Sequence, residues 1–105
     1  MPEPIDTAEL KVRPEVARFA LLMEQRLREN EEKGGWRRCP RSELTELLIK
    51  EIGELAGAVV QSAITPAEPR LEWAVRRKAA NVGNFAMMIA DNFGRLDKVD
   101  PPPQP

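Results

Sequence analysis

The segment from Leu71 to Phe93 has more apolar surface than one neighbouring helix can cover. Val75, Ala79, Val82, Ala86, Ile89 and Phe93 alternate spacings of four and three, a heptad-like seam. Beside it runs a stripe of Leu71, Ala74, Lys78, Asn81, Phe85 and Met88, and beside that Ala80, Asn84, Met87 and Asp91. A helix apolar nearly all round is buried on several sides. The chain is therefore expected to be all-α, with this helix at the centre of a bundle.

Two further helices are legible. One runs from about Pro14, suited to a first helical position, to about Asn30, with Val16, Phe19, Ala20, Met23 and Leu27 at helical spacing. Gly34 or Gly35 is expected to stop it in a left-handed C-cap. The next begins near Ser42, read as its N-cap, and continues to about Ser62. Leu44, Leu48, Ile52, Leu55 and Val59 form its apolar stripe, bordered by a second stripe of Leu47, Glu51, Glu54 and Ala58. Glu43, Glu46 and Lys50 fall on the solvent side. After the turn "AITPAEP" the third helix starts near Pro69 or Arg70 and ends at Gly94. Residues 1–13 form an N-terminal extension, with Asp6 and Glu9 at capping-box spacing, and 95–105 a Pro-rich tail.

A chain of 105 residues is one small domain, and three helices of this length enclose a small core. The remedy open to so short a chain is self-association. A homo-oligomer, with a dimer as the first expectation, would complete a four-helix-type core, and Gly83 would admit another backbone. The competing expectation is a monomer with an exposed apolar patch.

Composition removes several chemistries. There is no histidine, which excludes imidazole acid–base catalysis, histidine triads and His-ligated metals. The single cysteine, Cys39, allows no internal disulfide and fits a reducing compartment. With no base near it, a nucleophilic role is not expected. Sixteen basic against 17 acidic residues leave a net charge of −1, so nothing draws the chain as a whole to nucleic acid or anionic membrane. The start is acidic and Pro-containing, unlike a secretory leader, and the longest mostly apolar run is about a dozen residues where a span needs roughly 20. The chain reads as soluble and cytoplasmic, without a membrane partner.

Two features carry possible chemistry. Glu51 and Glu54, three apart on one helix, project from one face and would hold a divalent cation if other oxygen ligands joined them. Most such pairs are solvated surface, but flanking apolar residues set this one apart. The loop "KGGWRRCPR" surrounds Trp36 with Lys33, Arg37, Arg38 and Arg41, a group able to hold phosphate or stack a base. A solvated turn with Trp36 tucked inward is the simpler reading. Arg76 and Arg77 begin a second basic cluster.

The segments "MEQRLRENEEKGGW", "LLIKEIGELAGAV" and "KAANVGNFAMMIADN" resemble the MazG-type all-α NTP pyrophosphohydrolases, over roughly residues 12–94. The resemblance implies a helical bundle completed by homo-oligomerisation. It also implies Mg bound between two helices and conversion of an NTP or dNTP to its monophosphate and pyrophosphate. In that family one helix carries Glu-Glu-x-x-Glu and a later one Glu-x-x-Asp. Here the first motif falls on Lys50, Glu51 and Glu54, and the second on Lys78 and Asn81. Lys33, Trp36 and Asn84 match positions near the nucleotide. The departures matter, because an ammonium a few Å from a divalent ion costs roughly three decades of affinity. Lys78 is expected to reach Glu51 or Glu54 and stand in for the metal, leaving activity weak or lost. Asp91 lies about 15 Å along the helix from Asn81, too far to rescue that site, and reads as a polar residue near the helix end. A hydrolase with an altered metal site and a non-catalytic nucleotide-binding, regulatory or assembly relative both remain open. Binding of nucleic acid through the two arginine clusters is a third reading, opposed by the net charge.

Overall fold

The computed structural model describes residues 11–31 and 35–98. The expectations placed on Asp6, Glu9, Lys33, Gly34 and the Pro-rich end lie outside the described residues. Three helices carry the fold: α1, Pro14–Glu29; α2, Arg41–Ile64; and α3, Pro69–Phe93. Short 3-10 turns, Trp36–Arg38 and Leu96–Lys98, sit before α2 and after α3. No strand occurs among the described residues, and no helix there is long and apolar enough to cross a membrane.

The helix ends follow local chemistry, with two corrections. Pro14 starts α1, and Arg26 and Arg28 in its last turn face the negative end of the helix dipole. It stops at an Asn30 C-cap in a right-handed conformation, not at a left-handed glycine; Gly35 itself is extended, at φ −85°. Pro40, not Ser42, occupies the N-cap position of α2, with no side-chain capping hydrogen bond, so Ser42 lies inside the first turn. In α3 the Glu68 carboxylate caps the Arg70 N–H at 3.1 Å and Pro69 takes the first position. Ala67, in the α2–α3 turn, holds φ 61°, a left-handed conformation that costs a non-glycine residue roughly 1–2 kcal/mol.

As expected, α3 is the central element, packing on α2 along one side and on α1 along another. Its three buried residues, Ala80, Asn84 and Asp91, all belong to the stripe that includes Met87. The heptad-like seam is less enclosed: Ala86 is exposed and Phe93 is 70% exposed. On α2 the inward face is Leu44, Leu47, Leu48, Glu51, Leu55 and Ala58, while Ile52 and Val59 point away, half exposed. The helix is thus turned toward its glutamate stripe from the orientation its aliphatic spacing suggests. On this side the part-buried Asn81 side chain of α3 donates a hydrogen bond to Glu51.

Only Leu44 and Ala80 are buried apolar residues among those described, and α1 has no buried residue. The radius of gyration is 16.3 Å, against about 13 Å for a compact domain of 100 residues. One chain encloses little core.

Gly83 is explained within the chain. A Cβ there would lie 3.1 Å from Phe19 Cε2 and 3.2 Å from Met23 Sδ, so α1 occupies the approach that the sequence assigned to a partner. A methyl can be absorbed by small shifts and is offset by better helix propensity, worth about 1 kcal/mol. Gly83→Val cannot be absorbed. It is expected to cost about 1–3 kcal/mol by overpacking the α1–α3 contact. Comparing the thermal midpoints of the alanine and valine variants tests this; equal midpoints would refute it.

Candidate functional site

Because α1 and α2 both lean on α3 and share little packing with each other, a cleft of about 910 Å³ opens between them. Its floor is α3, contributing Lys78, Asn81, Asn84, Phe85 and Met88. One wall of α2 brings Lys50, Glu51 and Glu54; α1 brings Glu24, Arg26 and Leu27. The structure therefore gathers Glu51, Glu54, Lys78, Asn81, Asn84, Lys50 and Trp36 around one cleft.

Helical spacing explains the central network. Lys78 and Asn81 are three apart on α3, facing Glu51 and Glu54, three apart on α2. Lys78 Nζ donates to Glu54 Oε2 at 3.2 Å and lies 3.9 Å from Glu51 Oε2. Asn81 Nδ2 donates to Glu51 Oε2 at 3.2 Å, and its Oδ1 accepts from Arg26 Nε at 3.0 Å. Arg26 also pairs with Glu29 along α1. The Lys78 hydrogen bond holds the Glu54 carboxyl below its ordinary pKa, against a smaller opposing push from desolvation. The Lys78 and Glu54 side chains are each more than a third exposed, so this pair adds little stability. Its consequence is occupation of the acidic pair.

Magnesium of the kind the family resemblance implies does not fit these residues. A hard divalent ion takes about six oxygens. Between α2 and α3 the cleft offers two carboxylates, Glu51 and Glu54, already facing an ammonium, and an amide oxygen engaged by a guanidinium. Among the described residues no three Asp, Glu or Cys side chains gather closely enough to hold an ion. Lys50, where the family motif has its leading glutamate, adds a third cation to the lining beside Lys78 and Arg26.

Asn84 is 4% exposed, and its Nδ2 donates to the Met23 carbonyl at 2.9 Å, fastening α1 to α3. Its Oδ1 is buried at the cleft with no partner among the described residues. Such an acceptor is costly to leave unmade, and an N–H donor entering the cleft would satisfy it.

The loop before α2 has a structural role that the sequence reading missed. Trp36 Nε1 donates to Asp91 Oδ2 at 2.8 Å, and Arg37 Nε to the same oxygen at 3.1 Å. Asp91 Oδ1 accepts the Leu96 N–H at 2.8 Å. Arg41 Nε reaches Asn92 Oδ1 at 2.8 Å, and its guanidinium lies 3.8 Å from the centre of the Phe93 ring. The loop thus clasps the end of α3, and Trp36 presents its ring to the cleft while its N–H is spent on Asp91. Asp91 was read as an ordinary polar residue near a helix end; it is the anchor of this clasp. The available signal was its place on the Ala80–Asn84–Met87 stripe. Arg26 escaped notice because arginine near a helix C-terminus is common on solvent faces. Cys39 is half buried, and burial, with Glu43 nearby, raises its thiol pKa, which disfavours the nucleophilic thiolate.

Comparison of the chain with protein-family models, with curated proteins and with solved structures gives no match. The functional argument therefore rests on the residues and their geometry.

Proposed function

We propose that the chain is a MazG-like helical protein that has lost NTP pyrophosphohydrolase turnover and serves as a non-catalytic, nucleotide-binding or regulatory relative of those enzymes. It works as a homo-oligomer, a dimer in its simplest form. The observation that carries this reading is Lys78, within 3.2 Å of Glu54 and 3.9 Å of Glu51, where the enzymes place a metal-binding carboxylate. The charge around the cleft agrees. Five carboxylates and three cations line it, so a triphosphate arriving without metal meets net repulsion. A nucleotide remains the ligand class because Asn84 Oδ1, buried and unpartnered among the described residues, suits an N–H donor of a base. The Trp36 ring, lining the same cleft, suits stacking.

The test is pyrophosphate release from a panel of NTPs and dNTPs with Mg or Mn, paired with Mg titration by calorimetry. The expected result is no turnover above buffer and no tight, stoichiometric Mg uptake. Stoichiometric Mg binding accompanied by turnover would overturn the proposal and restore the hydrolase reading.

A further inference from the structure

An unassigned apolar face lies on the far side of α2 from the cleft. Ile49, Gly53, Ala56, Gly57, Val60 and Ile64 follow helical spacing along that face, over about 22 Å. Ile49, Val60 and Ile64 are 64%, 56% and 68% exposed. Within this span Glu51 and Glu54 turn toward the cleft and Lys50 flanks the face at the cleft's edge, so the line from Ile49 through Gly53 and Val60 to Ile64 itself carries no charge.

Gly53 and Gly57 supply a second argument. Glycine inside a helix is unfavourable, and nothing among the described residues requires it at either position. A Cβ added at Gly53 or Gly57 would meet nothing within 4 Å. Their notch is open, unlike that at Gly83, which α1 fills.

We infer that a second copy of the chain covers this face, its α2 lying antiparallel about a two-fold axis between Ala56 and Gly57. In that register Ile49 meets the partner's Ile64, Gly53 meets the partner's Val60, and Ala56 meets the partner's Gly57. Large faces small at Gly53, where the partner valine fills the notch and the helices come close. Both ends close with isoleucine on isoleucine. Charge selects the direction: parallel helices would set Lys50 beside its own copy, and Glu46 likewise. The antiparallel register separates the two Lys50 side chains by about 20 Å, beyond a Debye length at physiological salt. The pairing is isologous and closed, and it leaves both clefts facing outward. A second copy is the occupant because one chain buries only Leu44 and Ala80 as apolar core among its described residues. The inference rests on the homo-oligomeric part of the proposal above and is independent of the family resemblance.

Site-specific cross-linking of the full chain tests the register, in a Cys39→Ser background. With a short bis-maleimide, Ala56→Cys is expected to give a covalent dimer in high yield. Ile49→Cys alone should give none, while Ile49→Cys with Ile64→Cys should cross-link again. Gly53→Leu, which fills the notch, should weaken association at least tenfold by sedimentation; if that variant does not fold, the cross-links decide. A wild-type chain that sediments as a monomer overturns both this inference and the homo-oligomeric reading. An oligomer in which Ile49→Cys links to itself, or Ala56→Cys fails to link, overturns the α2 register alone.

Discussion

Asp91→Asn is expected to lower the thermal midpoint by about 10 °C, among the largest losses available to a single isosteric change in this chain. The carboxylate accepts three hydrogen bonds, from Trp36 and Arg37 on one oxygen and the Leu96 N–H on the other. An amide has one acceptor oxygen. Whichever way it turns, its NH2 group confronts a donor, and a side chain only 2% exposed leaves little access for water to mediate. The backbone N–H of Leu96, then the Trp36 indole and then Arg37 hold the Asp91 carboxyl at about 2, against an ordinary 3.8. Because the folded value is the lower one, the unfolded chain takes up the proton first as pH falls. The stabilisation is therefore whole above about pH 4 and is lost on descent through about pH 2. The wild-type and Asp91→Asn midpoints, measured at one chain concentration because association shifts them, should differ by a constant amount from pH 7 to pH 4 and converge below. Trp36 fluorescence, isolated in a Trp73→Phe background, reports whether the clasp opens with the same profile. A gap that does not close in acid would show that Asp91 acts through packing and not through its charge.

The clasp also shows where legibility in the sequence ends. Periodicity located three helices, because apolar spacing and proline placement are local signals. It found the Ala80–Asn84–Met87–Asp91 stripe, which supplies every buried residue of α3. It misjudged the rotation of α2, where Ile52 and Val59 were placed inward and are half exposed. Hydrophobic spacing alone treats Glu51 as a border residue. In three dimensions its carboxylate is 14% exposed, facing Asn81 and Lys78. The pairing of Lys78 with the α2 glutamates was expected through the family resemblance, which implies that these two helical registers face each other. The Arg26–Asn81 and Trp36–Asp91 hydrogen bonds join residues 55 apart, so no local pattern announces them. Exposed aliphatics on α2 were invisible for a further reason. The sequence marks a residue as apolar but not which chain covers it.

Reverting both departures at the cleft, Lys78→Glu with Asn81→Asp, is expected to produce the largest functional change. The substitutions alter the local charge by −3, since a cation becomes an anion and a neutral amide becomes an anion. Four carboxylates, two from each helix, then face one another across α2 and α3. Without metal their repulsion lowers the thermal midpoint, and Mg should restore it in a saturable manner. Mg affinity is expected to rise by roughly three decades over the wild type, from removal of one like-signed charge a few Å away. Arg26 sets an upper limit on this gain. Its Nε–H already donates to the Asn81 oxygen at 3.0 Å and would hold an introduced carboxylate more strongly. Adding Arg26→Gln to the double variant should therefore raise Mg affinity further, although the same change in the wild type should not create a site. Calorimetric titration of the three proteins separates these contributions, and pyrophosphate release under Mg saturation shows whether the cleft then supports hydrolysis. If the double reversion leaves Mg affinity unchanged, Lys78 and Asn81 are not what keeps the metal out, and the account of a degenerate hydrolase site fails with them.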